Sequence, residues 1–265
     1  MGAMIARPWR ALRTGMAFAS FGALALWLVV TSVPWLRWTV ADENERQLRV
    51  QAVVNRTYRR FIRLMQGLGL MHFHAIGLER LQEPGVLVVA NHPTLIDAVA
   101  ILSKMPHSDC ITKQANTRNP FLRGVIRAAG YIPNAGGQAI VDTCATRLRH
   151  GRSLVLFPEG TRSPLGELGP FQRGAAHIAL SSGRPLLPVI VTCEPQTLMR
   201  GQKWYEVPDR PFEYTVRVGD PISVRPYLEA IEAGLSRGLA ARRLTAELRE
   251  TFEKALRGAA GSRAA

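Results

Sequence analysis

The stretch of sequence that decides the fold is VLVVANHPTLID, residues 86–97. It opens with an uninterrupted apolar run, residues 86–90, of the kind found in parallel strands that are buried on both faces. Pro93 then suits the first turn of a helix, which we predict to continue to about residue 105. The stretch therefore predicts a buried strand that ends abruptly and a helix that returns along the sheet.

A second stretch of the same design is SLVLFPEGTRS, residues 153–163. Residues 153–157 predict another buried strand, Pro158 ends it because proline cannot donate to a ladder, and Gly160 permits a tight turn. Elsewhere, short apolar runs alternate with segments of helical periodicity. Further strands are predicted at residues 110–112, 131–133, 186–192 and 212–218, and further helices at residues 119–129, 138–150, 173–182 and 235–256. This alternation predicts an α/β fold with a mostly parallel sheet and helices on both faces.

The amino-terminal part contains a long apolar run. Residues 14–36 carry no charge, and the run is long enough to cross a hydrocarbon core of about 30 Å. Pro34 near its end leaves two arrangements open: a single transmembrane helix, or a helical pair that dips into one leaflet. A signal peptide fits less well, because the run is long and no small-residue cleavage site closes it.

A basic segment follows the apolar run. Between Glu45 and Glu79 the chain has no acidic residue but six arginines, and apolar residues recur there close to helical spacing. Beside a hydrophobic anchor, this pattern favours an amphipathic helix on a membrane surface over an ordinary solvated helix. We therefore divide the chain into a membrane anchor with a basic amphipathic helix (residues 1–72), an α/β domain (residues 73–258) and a disordered tail (residues 259–265).

The composition indicates an anionic partner. The 265 residues include 34 Lys and Arg against 20 Asp and Glu, a formal net charge of +14. Nucleic acid and anionic lipid both attract such a chain, but the apolar run and the lack of basic patches interleaved with aromatic residues favour a lipid surface and exclude nucleic acid. Cys110, Cys144 and Cys193 lack metal-ligand spacing and fit reduced thiols in a domain that faces the cytosol.

Two residues with catalytic potential follow the first buried strand. His92 is expected at the carboxyl edge of the sheet, where open α/β sheets bind ligands. Asp97 lies five residues later, and a carboxylate beside a histidine fixes its tautomer and leaves one ring nitrogen free to accept a proton. Alone, an N-capping histidine and a surface acid explain the pair equally well. The setting favours catalysis, because Asp97 stands in an otherwise apolar stretch that directly follows a strand and a His-Pro pair.

The second turn offers residues that can hold a substrate. We expect Glu159 to be partly buried and hydrogen-bonded, and Arg162 to grip an anion, since a guanidinium binds phosphate in two places. Lys113 follows a short strand and supplies a second positive charge. No serine or cysteine stands in a nucleophile elbow, and no glycine-rich nucleotide loop or metal-ligand spacing occurs. These features predict acyl transfer to a hydroxyl at a membrane surface, with neither a metal nor a covalent enzyme intermediate.

Residues 91–97 resemble the His-x4-Asp block of the glycerophospholipid acyltransferases, the 1-acylglycerol-3-phosphate acyltransferase family. Residues 157–163 resemble that family's Phe-Pro-Glu-Gly-Thr-Arg-Ser block, and residues 173–176 and 187–189 resemble its later blocks. The resemblance implies an O-acyltransferase of the bacterial inner membrane whose catalytic domain faces the cytoplasm. Its co-substrate would be acyl-CoA or an acylated acyl carrier protein, with no other cofactor, and its acceptor a lysophospholipid such as 1-acyl-sn-glycerol-3-phosphate.

The resemblance also implies a role for each candidate residue. His92 would be the general base, oriented by Asp97, and Lys113 would bind phosphate. The acceptor site would be shaped by the residues of the second turn, namely Glu159, Gly160, Thr161 and Arg162. One stretch departs from the family: residues 130–137 (GYIPNAGG) lack the arginine that many lysophosphatidate enzymes carry there. Two alternatives therefore stay open, the same chemistry on another lipid, such as an ornithine-type or polyketide-like lipid, and a non-catalytic module that binds anionic membranes.

Overall fold

The centre of the protein is one mixed sheet in a computed structural model that describes residues 2–119, 122–164 and 167–261. Its strands are β1 (Met71–Ile76), β2 (Leu87–Ala90), β3 (Ser108–Lys113), β4 (Ile132–Asn134), β5 (Ser153–Leu156), β6 (Leu186–Glu194) and β7 (Phe212–Val218). The spatial order is β1-β7-β6-β2-β5-β3-β4. Strands β2 to β6 run parallel, β7 pairs antiparallel with β6, and β1 runs parallel to β7. The predicted mostly parallel sheet is confirmed.

Helices cover both faces of this sheet, as predicted. They are α1 (Gly2–Trp27), α2 (Val33–Thr39), α3 (Glu43–Gly67), α4 (Asp97–Leu102), α5 (Arg123–Ala128), α6 (Gln138–Arg149), α7 (Gly174–Ser182), α8 (Arg225–Glu232) and α9 (Arg237–Gly261). Helices α1, α3 and α4 share one hydrophobic cluster with the sheet, while α6, α7 and α9 share the cluster on the other face. Residues 262–265 of the predicted tail lie outside the described residues.

The apolar composition of strand β2 explains its central position in the sheet. All four of its residues are buried, because both faces of the strand are covered. It lies between β5 and β6, so its carboxyl end opens at the middle of the sheet edge. There the Asn91 side chain continues the ladder: its Nδ2 donates to the Val191 carbonyl at 2.9 Å, and its Oδ1 accepts from the Val191 N–H at 2.7 Å.

The helix predicted from Pro93 is wrong at its start, since α4 begins at Asp97. Tertiary hydrogen bonds hold the preceding residues out of the helix. The Thr94 N–H donates to the Asp97 carboxylate at 2.7 Å, and the Leu95 N–H donates to the Leu198 carbonyl at 3.0 Å. His92 therefore lies in a loop between β2 and α4 and not at a helix N-terminus.

Strand β1 and helix α8 were not predicted from the sequence. Strand β1 is an edge strand in which only Met71 is buried, so it lacks the continuous apolar run that marks the inner strands. Helix α8 is eight residues long and has no buried residue. A helix of eight residues is shorter than the roughly 10–12 residues over which helical periodicity is distinguished from that of a short strand.

The amino-terminal helices form a pair with α3. Helix α1 continues through a π-helical turn, Leu28–Ser32, into α2. At one end Phe21 packs on Phe61, with ring centroids 4.8 Å apart, and Arg10 donates to the Gly69 carbonyl, just beyond the end of α3. The segment Arg7–Thr39 has the length and composition of a membrane-crossing helix, and only 17% of its most apolar part is buried inside the protein. The apolar run is therefore one continuous helix and not a pair separated near Pro34, and its arrangement in a membrane stays a prediction.

A buried ionic network joins α3 to the sheet. Asp109 at β3 is fully buried and pairs with Arg152 and Arg147. The Gln51 Nε2 on α3 donates to the same carboxylate at 2.9 Å. Near this network the Asn55 side chain, also on α3, donates to the Leu102 carbonyl at 2.7 Å and so holds the end of α4. Helix α3 is thus bonded directly to the helix that carries Asp97. The prediction that its apolar face lies on a membrane is wrong, because Val50, Val54, Phe61 and Met65 are buried in the protein and only the charged face is exposed.

Candidate active site

The two loops that carry the predicted site residues meet at one edge of the sheet. Strands β2 and β5 are parallel neighbours, so the segments that follow them leave the sheet side by side. The Ser163 N–H donates to the His92 carbonyl at 2.7 Å, and the His92 N–H donates to the Glu159 carboxylate at 3.0 Å. These bonds fix the His92 loop against the second turn.

His92 and Asp97 form the predicted pair. The His92 Nδ1 lies 2.7 Å from the Asp97 Oδ2, and the Asp97 side chain is fully buried whereas 21% of the His92 side chain is exposed. Because an ionised carboxylate can only accept, Nδ1 carries the hydrogen and Nε2 is left to accept a proton. The imidazole also stacks on Phe157, with ring centroids 4.4 Å apart and planes inclined by 28°.

Tyr214 completes the surroundings of Asp97. Its hydroxyl, on β7, donates to the Asp97 Oδ1 at 2.5 Å, and the Thr94 hydroxyl and N–H donate to the same carboxylate. Burial, and then the neighbouring Asp97 charge, raise the pKa of Tyr214 well above 10. The phenol therefore stays protonated and acts as a permanent donor to Asp97.

Sequence reasoning missed Tyr214, although a signal for it exists. Alternation within residues 212–218 turns Tyr214 inward, and a buried tyrosine hydroxyl needs a polar partner. What the sequence does not give is the partner, because Asp97 lies 117 residues away along the chain.

Glu159 is buried and hydrogen-bonded, as predicted, but it is not among the residues that line the cavity beside His92. Besides the His92 N–H, its carboxylate accepts from the Ser163 hydroxyl at 2.7 Å and from the Gly169 N–H at 2.8 Å. Only 6% of the residue is exposed. The carboxylate therefore ties the second turn to the backbone of His92, and it is Pro158 and Gly160 that line the neighbouring cavity.

A cavity of about 250 Å³ opens beside the imidazole. His92, Gly160 and Lys113 line it, so the structure brings these three predicted residues together. Gly160 has φ of +66°, a conformation that side chains disfavour, and this turns the backbone of the second turn along the cavity. Most other lining residues are apolar, among them Ile111, Ile140, Val141, Leu156 and Ile178.

Thr161 and Arg162, like Asp97 and Glu159, are predicted site residues that lie outside the lining of this cavity. Thr161 is half-buried in the second turn. The Nη1 of Arg162 donates to the carbonyls of Leu198 at 3.2 Å and Met199 at 2.9 Å. Since the Leu95 N–H donates to the same Leu198 carbonyl, Arg162 steadies the loop that supports the His92 segment.

The cavity contains one thiol, that of Cys110. Burial, and then the adjacent Asp109 charge, raise the pKa of Cys110 to about 12. The thiol is therefore neutral at pH 7 and is a poor nucleophile. Among the described residues, no group of three or more His, Cys, Asp or Glu side chains is arranged to hold a metal ion. The arrangement is suited to general-base chemistry by His92.

Comparison with known proteins agrees with the motifs. Residues 72–192 match the family model described as Acyltransferase. Relatives named 1-acyl-sn-glycerol-3-phosphate acyltransferase include those of Saccharomyces cerevisiae, 29% identical over 156 residues (56% of this chain and 50% of the relative), and Helicobacter pylori, 31% identical over 112 residues (40% and 47%). A chloroplastic relative from Brassica napus, BAT2, is 32% identical over 120 residues (43% and 35%). The chain thus spans half or less of the length of these relatives.

A solved structure shows the same fold. The crystal structure of the 1-acyl-sn-glycerophosphate (LPA) acyltransferase PlsC from Thermotoga maritima superposes with a TM-score of 0.63, covering 91% of this chain and 97% of that one. The two sequences are 20% identical, so this likeness concerns the fold. Residues 72–192 are thus those of an acyltransferase-family domain, in a chain that is similar to 1-acyl-sn-glycerol-3-phosphate acyltransferases and shares the fold of PlsC.

Proposed function

We propose that this protein is a membrane-associated O-acyltransferase that acylates a lysophospholipid, with 1-acyl-sn-glycerol-3-phosphate as the first candidate acceptor. One observation carries the proposal: His92 lines a cavity while its Nδ1 is held by a fully buried carboxylate. A non-catalytic lipid-binding module has no need of a histidine whose tautomer is fixed in this way.

The reaction follows from this geometry. The Nε2 of His92 accepts the proton of the acceptor hydroxyl while that oxygen attacks the carbonyl carbon of an acyl thioester. A C–O bond forms, the C–S bond breaks, and the departing thiolate takes up the proton from the imidazolium. Asp97, held by Tyr214 and Thr94, stabilises the imidazolium between the two proton transfers. The acyl group passes directly from donor to acceptor, and the acyl donor is the only co-substrate.

The cavity lining supports an acyl donor and an anionic acceptor. Its apolar residues suit a fatty acyl chain, as ligand sites are mostly apolar with a few placed polar groups. Lys113 lies on the lining near His92 and is suited to a phosphate on the acceptor. Arg162, whose Nη1 donates to two backbone carbonyls, adds positive charge at the second turn. Acyl-CoA and acylated acyl carrier protein are both candidate acyl donors.

The continuous amino-terminal helix supports docking on a membrane. Exposed apolar side chains follow α1 and α2, with 60% of Leu26, 62% of Val30 and 86% of Trp38 accessible. An exposed apolar face of this kind suits the interface of a bilayer. The apolar residues of α3 are buried in the protein, so this helix would contribute its exposed arginines, which attract anionic lipids. We place the protein on the cytoplasmic face of a bacterial inner membrane, where donors made in the cytosol reach the cavity and the acceptor enters from the leaflet.

A second acceptor class has one observation in its favour. Asn134, at the end of β4, lies in the stretch that lacks the family's arginine, and with Asn116 it gives the cavity a neutral polar wall. A lipid with an amide or hydroxyl group in place of the phosphate matches this wall. An ornithine-type lipid has that chemistry.

An acceptor panel tests the proposal. The purified full chain is given acyl-CoA or acylated acyl carrier protein with lysophosphatidate, a monoacylglycerol or a lyso-ornithine lipid, and products are identified by mass spectrometry. We expect phosphatidate to form fastest, and Lys113→Ala to raise KM for lysophosphatidate but not for monoacylglycerol. Faster acylation of the ornithine lipid would favour the second acceptor class. Vesicle binding without acylation of any acceptor would refute the enzymatic proposal.

A further inference from the structure

A second cavity lies away from His92, between the π-helical turn and the middle of α3. Its volume is about 410 Å³, and its lining includes Trp27, Trp35, Arg49, Arg56 and Arg60. We propose that this cavity, the arginine–tryptophan site, binds the phosphate group of an anionic membrane phospholipid. The inference deepens the membrane-docking part of the proposed function and rests on it, but it does not involve the chemistry at His92.

Two of the three arginines that line the site have no acidic partner among the described residues. Arg49 forms an ion pair with Glu45, one turn earlier on α3. Arg56 and Arg60 are exposed, and within the described ranges neither forms an ion pair with an acidic side chain. They stand four residues apart on one helical face, where like charges repel each other. An anion between the two guanidinium groups removes this repulsion, and phosphate matches their planar forks.

The π-helical turn brings the two indoles to the site. At about 100° per residue, eight residues of regular α-helix would leave Trp27 and Trp35 about 80° apart around the axis. The π-helical turn accommodates one extra residue, so the two tryptophans are placed as if they were about seven residues apart in a regular helix. The angle between them around the helix axis is then about 20°. Pro34 gives the local reason for the turn, because it lacks an N–H and its ring crowds the carbonyl of residue 30.

The depth of the site in a bilayer matches lipid phosphates. Half of Trp27 and 59% of Trp35 are exposed, and indole rings prefer the level of the lipid head groups. With these rings at that level, Arg56 and Arg60 lie in the layer where phosphates are found. The exposed apolar side chains of α1 and α2 continue from there toward the acyl chains. Charge and depth together select an anionic phospholipid and not a soluble anion.

The test compares two arginine pairs on the same helix. Arg56→Gln with Arg60→Gln removes two charges from the arginine–tryptophan site. Arg59→Gln with Arg63→Gln removes two exposed charges from α3 at residues that do not line the site. Binding of the full chain is measured by flotation with phosphatidylcholine vesicles, with and without phosphatidylglycerol. Diffuse attraction contributes about fivefold in affinity for each basic residue near an anionic surface, so it gives two such charges at most about 25-fold. Because the first pair also loses direct contacts to a bound phosphate, its binding to phosphatidylglycerol vesicles is expected to weaken by more than this factor.

The control pair should lose clearly less, and neither pair should change binding to phosphatidylcholine alone. Equal losses from the two pairs would mean diffuse attraction and no discrete site, and unchanged binding of the first pair would equally overturn the proposal. Competition by inorganic phosphate as effective as by lipid would make the free ion the ligand, against the proposal. Acyl transfer in detergent micelles should stay at the wild-type rate in both pairs, which separates a failure here from a failure at His92.

Discussion

Tyr214→Phe is the substitution that best tests how Asp97 is held. It removes one hydroxyl and leaves a ring of the same shape, which still packs against Phe73, with ring centroids 5.9 Å apart. Asp97 loses one of its four hydrogen bonds, the others coming from His92 and from two groups of Thr94. A buried hydrogen bond to a charged group contributes about 1.5–3 kcal/mol. We expect the free energy of unfolding to fall by about 2 kcal/mol, and Tm by about 4–8 °C.

Activity should fall as well, because Asp97 orients the base. If about 1.4 kcal/mol of the lost energy is expressed in the transition state, kcat decreases about tenfold while KM stays constant. The Tyr214 hydroxyl holds the Asp97 carboxylate in place, and Asp97 in turn orients the imidazole. Loss of the hydroxyl should therefore lower kcat at every pH in the working range.

The assay is steady-state acyl transfer across a pH series, with Tm measured on the same samples. Tyr131→Phe is the matched control, since Tyr131 packs against the same hydrophobic cluster and is not among the hydrogen-bond donors to Asp97. A lowered Tm with an unchanged kcat across the pH series would refute the reasoning, because Tyr214 would then be a structural residue alone.

Three further substitutions probe the supports of the site. In Asp97→Asn, the new side-chain amide meets four groups that donate to the carboxylate in the wild type. If its N–H points at the His92 Nδ1, the imidazole proton moves to Nε2, the nitrogen that must accept. We expect kcat to fall about 10³–10⁴-fold, and wild-type kinetics would contradict the assignment. Gly169→Ala places a Cβ 2.6 Å from the Glu159 Oε2, so the carboxylate must shift and kcat should fall up to about 10²-fold, whereas Gly238→Ala, in open space, should have no effect. Asp109→Asn leaves Arg147 and Arg152 without their charged partner and should lower the free energy of unfolding by about 3 kcal/mol in chemical denaturation. Asp142→Asn, on the exposed face of α6, is the control and should change it little. Equal effects of the two substitutions would show that the network contributes little.

The sequence predicts those parts of the site that depend on local signals. Strands β2 and β5 are continuous apolar runs, and each is followed directly by its functional loop. His92 and Asp97 are five residues apart, so their pairing needs only one short loop. Site residues whose positions depend only on nearby residues are therefore predicted correctly from the sequence.

Contacts that depend on strand order are not recovered. Tyr214 reaches Asp97 only because β7 lies two strands from β2, across β6. The Glu159 carboxylate is directed to the backbone of His92 by Ser163 and Gly169, and no periodic pattern reports such bonds. The α4 helix starts late because Leu198, about a hundred residues further along, binds the Leu95 N–H. In each case a distant partner outweighs the local preference.

The arginines before the apolar run show the same effect of distant partners. Arg10 and Arg13 precede the apolar run, and the positive-inside rule treats such residues as free to choose a side. In the structure both donate to carbonyls at the end of α3, and Arg10 is buried. These arginines dock α1 onto the α/β part, so their number carries no information on membrane orientation.

The central claim is that the imidazole of His92 accepts the proton of the acceptor hydroxyl. The most direct measurement is the single-turnover rate of acyl transfer by His92→Ala protein, bound to vesicles and shown by circular dichroism to be folded. A positioned general base contributes about 10²–10⁴-fold, so the rate should fall by that factor while binding of donor and vesicles is unchanged. A rate within about twofold of the wild-type value would contradict the account, since the proton would then leave by a route that does not involve His92.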